Sequence, residues 1–83
     1  MARRIAWTEQ GKADLRAINQ RRAMNILHGL ARFLSTAEGD VKQLHGFDPP
    51  ELRLRIGDYR IRFHDHGDWI EILRVRNRKD AYR

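Results

Sequence analysis

Residues 52–63 read LRLRIGDYRIRF, two runs of alternating apolar and basic residues on either side of Gly57-Asp58. Strict alternation places successive side chains on opposite faces of a half-buried strand. A Gly-Asp pair between two such runs matches a two-residue hairpin loop with glycine at its first position, the type II′ choice. That loop sets the register. Ile56 faces Tyr59, Arg55 faces Arg60, Leu54 faces Ile61, Arg53 faces Arg62, Leu52 faces Phe63 and Glu51 faces His64. One side of the hairpin then carries Leu52, Leu54, Ile56, Tyr59, Ile61 and Phe63, a ready core face. The other side sets arginine opposite arginine twice. Like charges in that position are destabilising, where favourable cross-strand pairs contribute roughly 0.2–1 kcal/mol each. Either the arginine stems cover apolar surface with their heads in water, or a polyanion supplies the missing negative charge.

Composition bears on that choice. The 83 residues make one domain, 1–83, with no room for a second core. A chain of this size buries only about 60–65% of its unfolded surface, so its stability is modest. A tightly bound partner would add to it by mass action. There is no cysteine, which excludes disulfides, thiol nucleophiles and cysteine-based zinc sites. No apolar run approaches the length of a membrane span and no signal peptide opens the chain, so a soluble, cytoplasmic protein is expected. The net charge of +6 comes from 17 basic residues, 14 of them arginine, the better residue for bidentate phosphate contact. A pI near 10.8 without a lysine-rich amphipathic helix points to nucleic acid before membrane. Residues 1–50 and 51–83 each carry a net +3, so the signal lies in the alternation and not in a basic tail.

Around the hairpin the chain reads as α+β: a small antiparallel sheet with an N-terminal strand and an α-helical hairpin packed on one face. Residues 3–7, RRIAW, form a short strand, and Thr8 is a helix N-cap followed by Glu9 in the first turn. The first helix runs over 9–18. From Arg21, apolar residues recur at Ala23, Ile26, Leu27, Leu30, Phe33, Leu34 and Ala37, an amphipathic helix that Gly39 stops. A short strand centred on Val41 to Leu44 follows, broken by Asp48-Pro49-Pro50. Residues 64–68 are a turn, and Trp69 to Arg78 is the last strand. Ile70 and Ile72 share one parity there, whereas Leu73 and Val75 share the other. Either both faces of this strand are covered at its start, or a bulge near Ile72-Leu73 shifts the phase and returns Arg74, Arg76 and Arg78 to the cationic face.

Few residues can act as nucleophiles. Ser35, Thr8 and Thr36 sit at or beside helix ends, where capping is their expected role. His64-x-His66 has metal-ligand spacing but no third ligand in the sequence, so a polar turn is expected, with no metal and no cofactor. The carboxylates are too dispersed for a Mg²⁺ site, and Glu71 can pair with Arg62. One cleavage reaction needs neither metal nor protein nucleophile: scission of RNA by its own 2′-hydroxyl. The protein then orients the strand, neutralises charge developing on the phosphate and helps protons move. Arg53, Arg55, Arg60, Arg62, Arg76 and Arg78 on one sheet surface could hold several phosphates. Tyrosine or histidine, here including His64, can stack on bases and assist with protons.

LRLRIGDYRIRF followed by EILRVRNRKDAY at residues 71–82 resembles the RelE/ParE superfamily of bacterial toxin–antitoxin toxins. The opening RIAWTEQGKADLRAI at residues 4–18 is similar to that family's strand-into-helix start. The resemblance covers essentially the whole chain and implies a compact sheet with a helical hairpin on one face and a basic face for RNA. For RelE-type members it implies cutting of mRNA in the ribosomal A site. Arg60 matches the family's phosphate-stabilising arginine, and Arg78 its C-terminal catalytic arginine. Tyr82 matches the tyrosine that stacks on the mRNA or takes part in proton transfer. Arg53 and Arg55 match basic positions in the third strand. The resemblance also implies a cognate antitoxin that wraps the toxin.

Where well-studied members carry two lysines in that strand, this chain has Glu51 and Arg53. Arginine stays protonated and is a poor base. The base role therefore stays open between replacement by Glu51 and weakened catalysis. Three functions follow: a ribosome-dependent endoribonuclease, a ParE-like poison of DNA gyrase that cuts no RNA, or a nucleic-acid-binding module without activity. Arg78 followed by Tyr82 favours the first.

Overall fold

The computed structural model describes residues 3–78. Its elements follow in the order β1 (Arg4–Trp7), α1 (Glu9–Arg16), α2 (Gln20–Thr36), β2 (Asp40–Leu44), β3 (Glu51–Ile56), β4 (Tyr59–Asp65) and β5 (Trp69–Asn77). The hairpin forms in the expected register, from Ile56 opposite Tyr59 to Leu52 opposite Phe63. Gly57 takes φ +58°, which lets the loop close in two residues.

The five strands lie in the order β1-β5-β4-β3-β2. All neighbouring pairs are antiparallel except the outermost, where β1 runs parallel to β5, with Ile5 opposite Ile70 and Trp7 opposite Ile72. The expected α+β fold, a small antiparallel sheet with an N-terminal strand and a helical hairpin, is present, with β1 joining in parallel. The exception arises because β1 and β5 are joined through the rest of the fold, a connection long enough to permit parallel pairing.

The bulge is present. Arg62 faces Arg74 while Phe63 faces Ile72, so Leu73 is the extra residue. Its effect is a change of phase. Ile70, Ile72 and Val75 are all buried on the core side, and Arg74 and Arg76 join Glu71 on the opposite side. Unbulged alternation would have continued from Ile72 to Arg74 and driven both arginines into the core.

α2 supplies the other half of that core. Ile26, Leu30 and Phe33 meet Leu54, Ile61, Phe63, Ile70, Ile72 and Val75, with the Phe33 and Phe63 rings edge-to-face at 5.8 Å. Asn19 caps its start by accepting from Arg21 N–H. The helix stops earlier than Gly39, at Thr36, because Ala37 adopts the left-handed conformation with φ +60°. Gly39 answers a spatial demand instead. A Cβ there would come within 2.8 Å of Leu54 Cδ1.

α1 lies beside β5 where β1 ends. Thr8 Oγ1 accepts from Gly11 N–H and donates to the Ile72 carbonyl, joining the helix cap to the strand edge. The helix ends at Arg16 rather than residue 18. Among the described residues, no helix is long and apolar enough to cross a membrane.

Candidate nucleic-acid interface

The side of the sheet opposite the core carries the charges, in rows that cross the strands. One row runs Asp40, Arg55, Arg60, Arg76, and the next Lys42, Arg53, Arg62, Arg74. The hairpin's two like-charge pairs are thus extended by β5 into two three-arginine rows. Beyond these rows His64 stands opposite Glu71.

Arg62 and Arg74 have carboxylate partners built into the fold. Arg62 donates through Nε (2.8 Å) and Nη2 to Glu51 Oε2, and its guanidinium stacks over Phe47 at 5.0 Å. Glu51 is held tightly, its side chain 12% exposed. The expected pairing of Arg62 with Glu71 does not occur. Glu51 reaches Arg62 from the neighbouring strand, and Glu71 turns to the histidines. Arg74 donates to Asp14 Oδ2 at 2.8 Å. The same oxygen accepts from Val75 N–H at 2.9 Å, on the edge of β5 that β1 does not reach. Burial pushes the Asp14 carboxyl up, but hydrogen bonds from Val75, Arg74 and Gln10 outweigh it and hold the group below the ordinary aspartate range.

Arg53, Arg55, Arg60 and Arg76 form the rest of this face. Arg53, Arg60 and Arg76 are half-buried, their stems lying along the sheet, while Arg55 is exposed. Arg53 Nε is buried and has no hydrogen-bond partner among the described residues. A buried guanidinium donor without an acceptor is what an incoming phosphate oxygen would satisfy. Arg78 is exposed just beyond β5, and its N–H donates to the Asp58 carbonyl at 2.7 Å. That bond ties the end of β5 to the hairpin loop, at the end of the sheet where Arg55, Arg60 and Arg76 lie. Beside it an open cleft of about 1200 Å³ is lined by Asn19, Arg22, Asp58, Arg76 and Arg78 among others. Tyr82 lies outside the described residues.

The opposite end of the face has a different character. His64 Nδ1 and His66 Nε2 lie 3.3 Å and 3.1 Å from Glu71 Oε1. The contact with His66, above all, holds the Glu71 carboxyl below its usual range despite some burial, with His64 adding to the effect. His64 was expected as an RNA contact, and it does stand on the arginine side. Glu71 as the third member of the group was missed; the turn that sets Asp65 opposite Ile70 also sets Glu71 opposite His64. The bulge was legible as a parity conflict, but its register with β4 was not.

The described geometry meets several known proteins. The family model described as the ParE toxin of type II toxin–antitoxin systems, parDE, matches residues 5–82. No curated protein matches the chain. Among solved structures, a chain of the archaeal RelE–RelB complex from Pyrococcus horikoshii OT3 superposes with TM-score 0.72 at 22% identity, covering 94% of this chain and 97% of that one. A chain of the RelB–RelE antitoxin–toxin complex from Methanococcus jannaschii gives 0.72 at 23% identity, with 92% and 93% covered. The RelBE2 toxin–antitoxin complex from Mycobacterium tuberculosis gives 0.72 at 22% identity, with 93% and 99% covered. At these identities the likeness is one of fold.

Proposed function

The chain belongs to the ParE toxin family of type II toxin–antitoxin systems, within the RelE/ParE superfamily, and from that premise we propose that its arginine face grips mRNA in the ribosomal A site and promotes its cleavage. The observation that carries this reading is the pair of three-arginine rows. Six guanidinium groups share one side of a small sheet, where Glu51 holds Arg62 and Asp14 holds Arg74. An RNA backbone offers such a face a run of phosphates.

The chemistry asked of such a face is limited. The substrate's 2′-oxygen attacks the adjacent phosphorus as its proton leaves, the bond to the 5′-oxygen breaks, and that oxygen takes up a proton. Arg60, with Arg53 and Arg55 beside it, offsets the extra charge on the phosphoryl oxygens. Arg62, Arg76 and His64 hold the flanking nucleotides. Glu51, whose Oε2 accepts from Arg62, serves as the base through its other oxygen. Arg78 acts at the leaving-group side, and Tyr82 stacks on the mRNA or moves a proton.

As a toxin of a toxin–antitoxin pair the chain takes a cognate antitoxin as its protein partner. An acidic or amphipathic segment that orders as it binds suits this surface. A second reading, favoured by the ParE description of the matching family, is a gyrase poison that cuts no RNA. Defined mRNA on programmed ribosomes separates the two. We expect cuts at the A-site codon by the wild type, lost in Arg60→Ala and reduced in Tyr82→Phe. Intact mRNA with blocked supercoiling in a parallel gyrase assay would overturn the nuclease reading.

A further inference from the structure

We propose that His64 Nδ1, His66 Nε2 and Glu71 Oε1 form a three-ligand site for a divalent transition-metal ion, with zinc the best fit. The three donor atoms lie within 4.8 Å of one another. Two of the separations, 3.1 Å and 3.3 Å, both end on Glu71 Oε1. Ligands at about 2.0–2.1 Å from a tetrahedral zinc stand about 3.3 Å from each other. A small rotation of one imidazole closes the third edge. Two imidazoles and a carboxylate form a donor set that zinc and its first-row neighbours accept, and one that Mg²⁺ or Ca²⁺ seldom uses.

The scaffold around these ligands is already ordered. His64 and Glu71 are direct cross-strand partners on β4 and β5. The His66 ring stacks on Trp69 at 4.1 Å, nearly parallel, and the backbone N–H of His66 donates to the Trp69 carbonyl. Asp65 Oδ1 accepts from Gly67 N–H and closes the turn between them. Little conformational freedom would be lost on binding, which favours affinity. Local charge is also suitable. Residues 64–71 contain Asp65, Asp68 and Glu71 but no lysine or arginine, in a chain that is otherwise strongly basic. Arg3 is engaged by Asp65 at 2.7 Å. With three ligands from the protein, a fourth position is left for water or another small ligand. The site depends on no assumption about RNA cleavage.

The competing arrangement is a carboxylate that merely accepts hydrogen bonds from two imidazoles, and titration of the purified full chain with ZnCl₂ distinguishes them. We expect saturable binding of one ion, weakened at least about tenfold in His66→Gln and in Glu71→Gln, a change of about 1.4 kcal/mol. CoCl₂ should give the d–d absorption of a low-coordinate N/O site in the wild type alone. His28→Gln with His45→Gln should bind as the wild type does. Circular dichroism reports folding, and His66, at the turn surface, decides the matter if Glu71→Gln fails to fold. Absence of saturable zinc binding, unchanged affinity in His66→Gln, or loss of binding in the His28/His45 control would overturn the site.

Discussion

Asp14 shows how much one side chain can carry in a domain this small. It satisfies Val75 N–H at the strand edge beyond β1 and neutralises Arg74 on the charged face. Removing it leaves a backbone donor of the buried Val75 without its acceptor, at a cost of about 1–3 kcal/mol. Asp14→Ala should therefore lower the denaturant midpoint clearly. The pH dependence has a defined sign. The folded carboxyl lies below its unfolded value, so its contribution is complete above the ordinary aspartate range and is lost as pH falls through the folded value. Asp14→Asn should be less stable than the wild type at neutral pH and lose less on acidification. Equal acid sensitivity of the two proteins would show that Asp14 plays no such part.

At the scale of elements, the bulge at Leu73 connects the core to the charged face. Deleting Leu73 removes the extra residue, so Arg74 follows Ile72 directly and plain alternation keeps Ile72 and Val75 in the core and Arg74 and Arg76 on the charged face. The deletion variant should therefore fold by circular dichroism, as should Leu73→Ala. An unfolded deletion variant would show that the bulge itself is needed at this position. The hairpin was legible in the sequence because its alternation and its Gly-Asp loop act within twelve residues. The parallel pairing of β1 with β5 was not, because it joins segments more than sixty residues apart and depends on the whole packing. The same distance hid Asp14, whose partners are sixty and sixty-one residues away. Glu51 was singled out for its unusual position, yet its bond to Arg62 came from the twist and side-chain reach of neighbouring strands rather than from a pattern in the chain.

For the molecule as a whole, charge separation is the main feature. One side of the sheet is apolar and covered by α2; the other gathers arginines that repel one another. A soluble polyanion should bind this side and stabilise the fold by mass action, with an effect that fades as salt rises. We expect heparin to raise the melting temperature of the wild type at low ionic strength, and to do so less for Arg53→Ala/Arg55→Ala. A salt-independent effect, or an equal effect on the variant, would place polyanion binding elsewhere.

If this face assists the substrate's own 2′-hydroxyl, the ends of the cut RNA carry the mark of that attack. Fragments produced on programmed ribosomes would be recovered and their termini identified. Attack by the 2′-oxygen predicts a 2′,3′-cyclic phosphate, or the monophosphate formed from it, on the upstream fragment and a 5′-hydroxyl on the downstream one, with neither produced by Arg60→Ala. A 5′-phosphate on the downstream fragment, or uncut mRNA with a fully folded wild-type protein, would contradict the account.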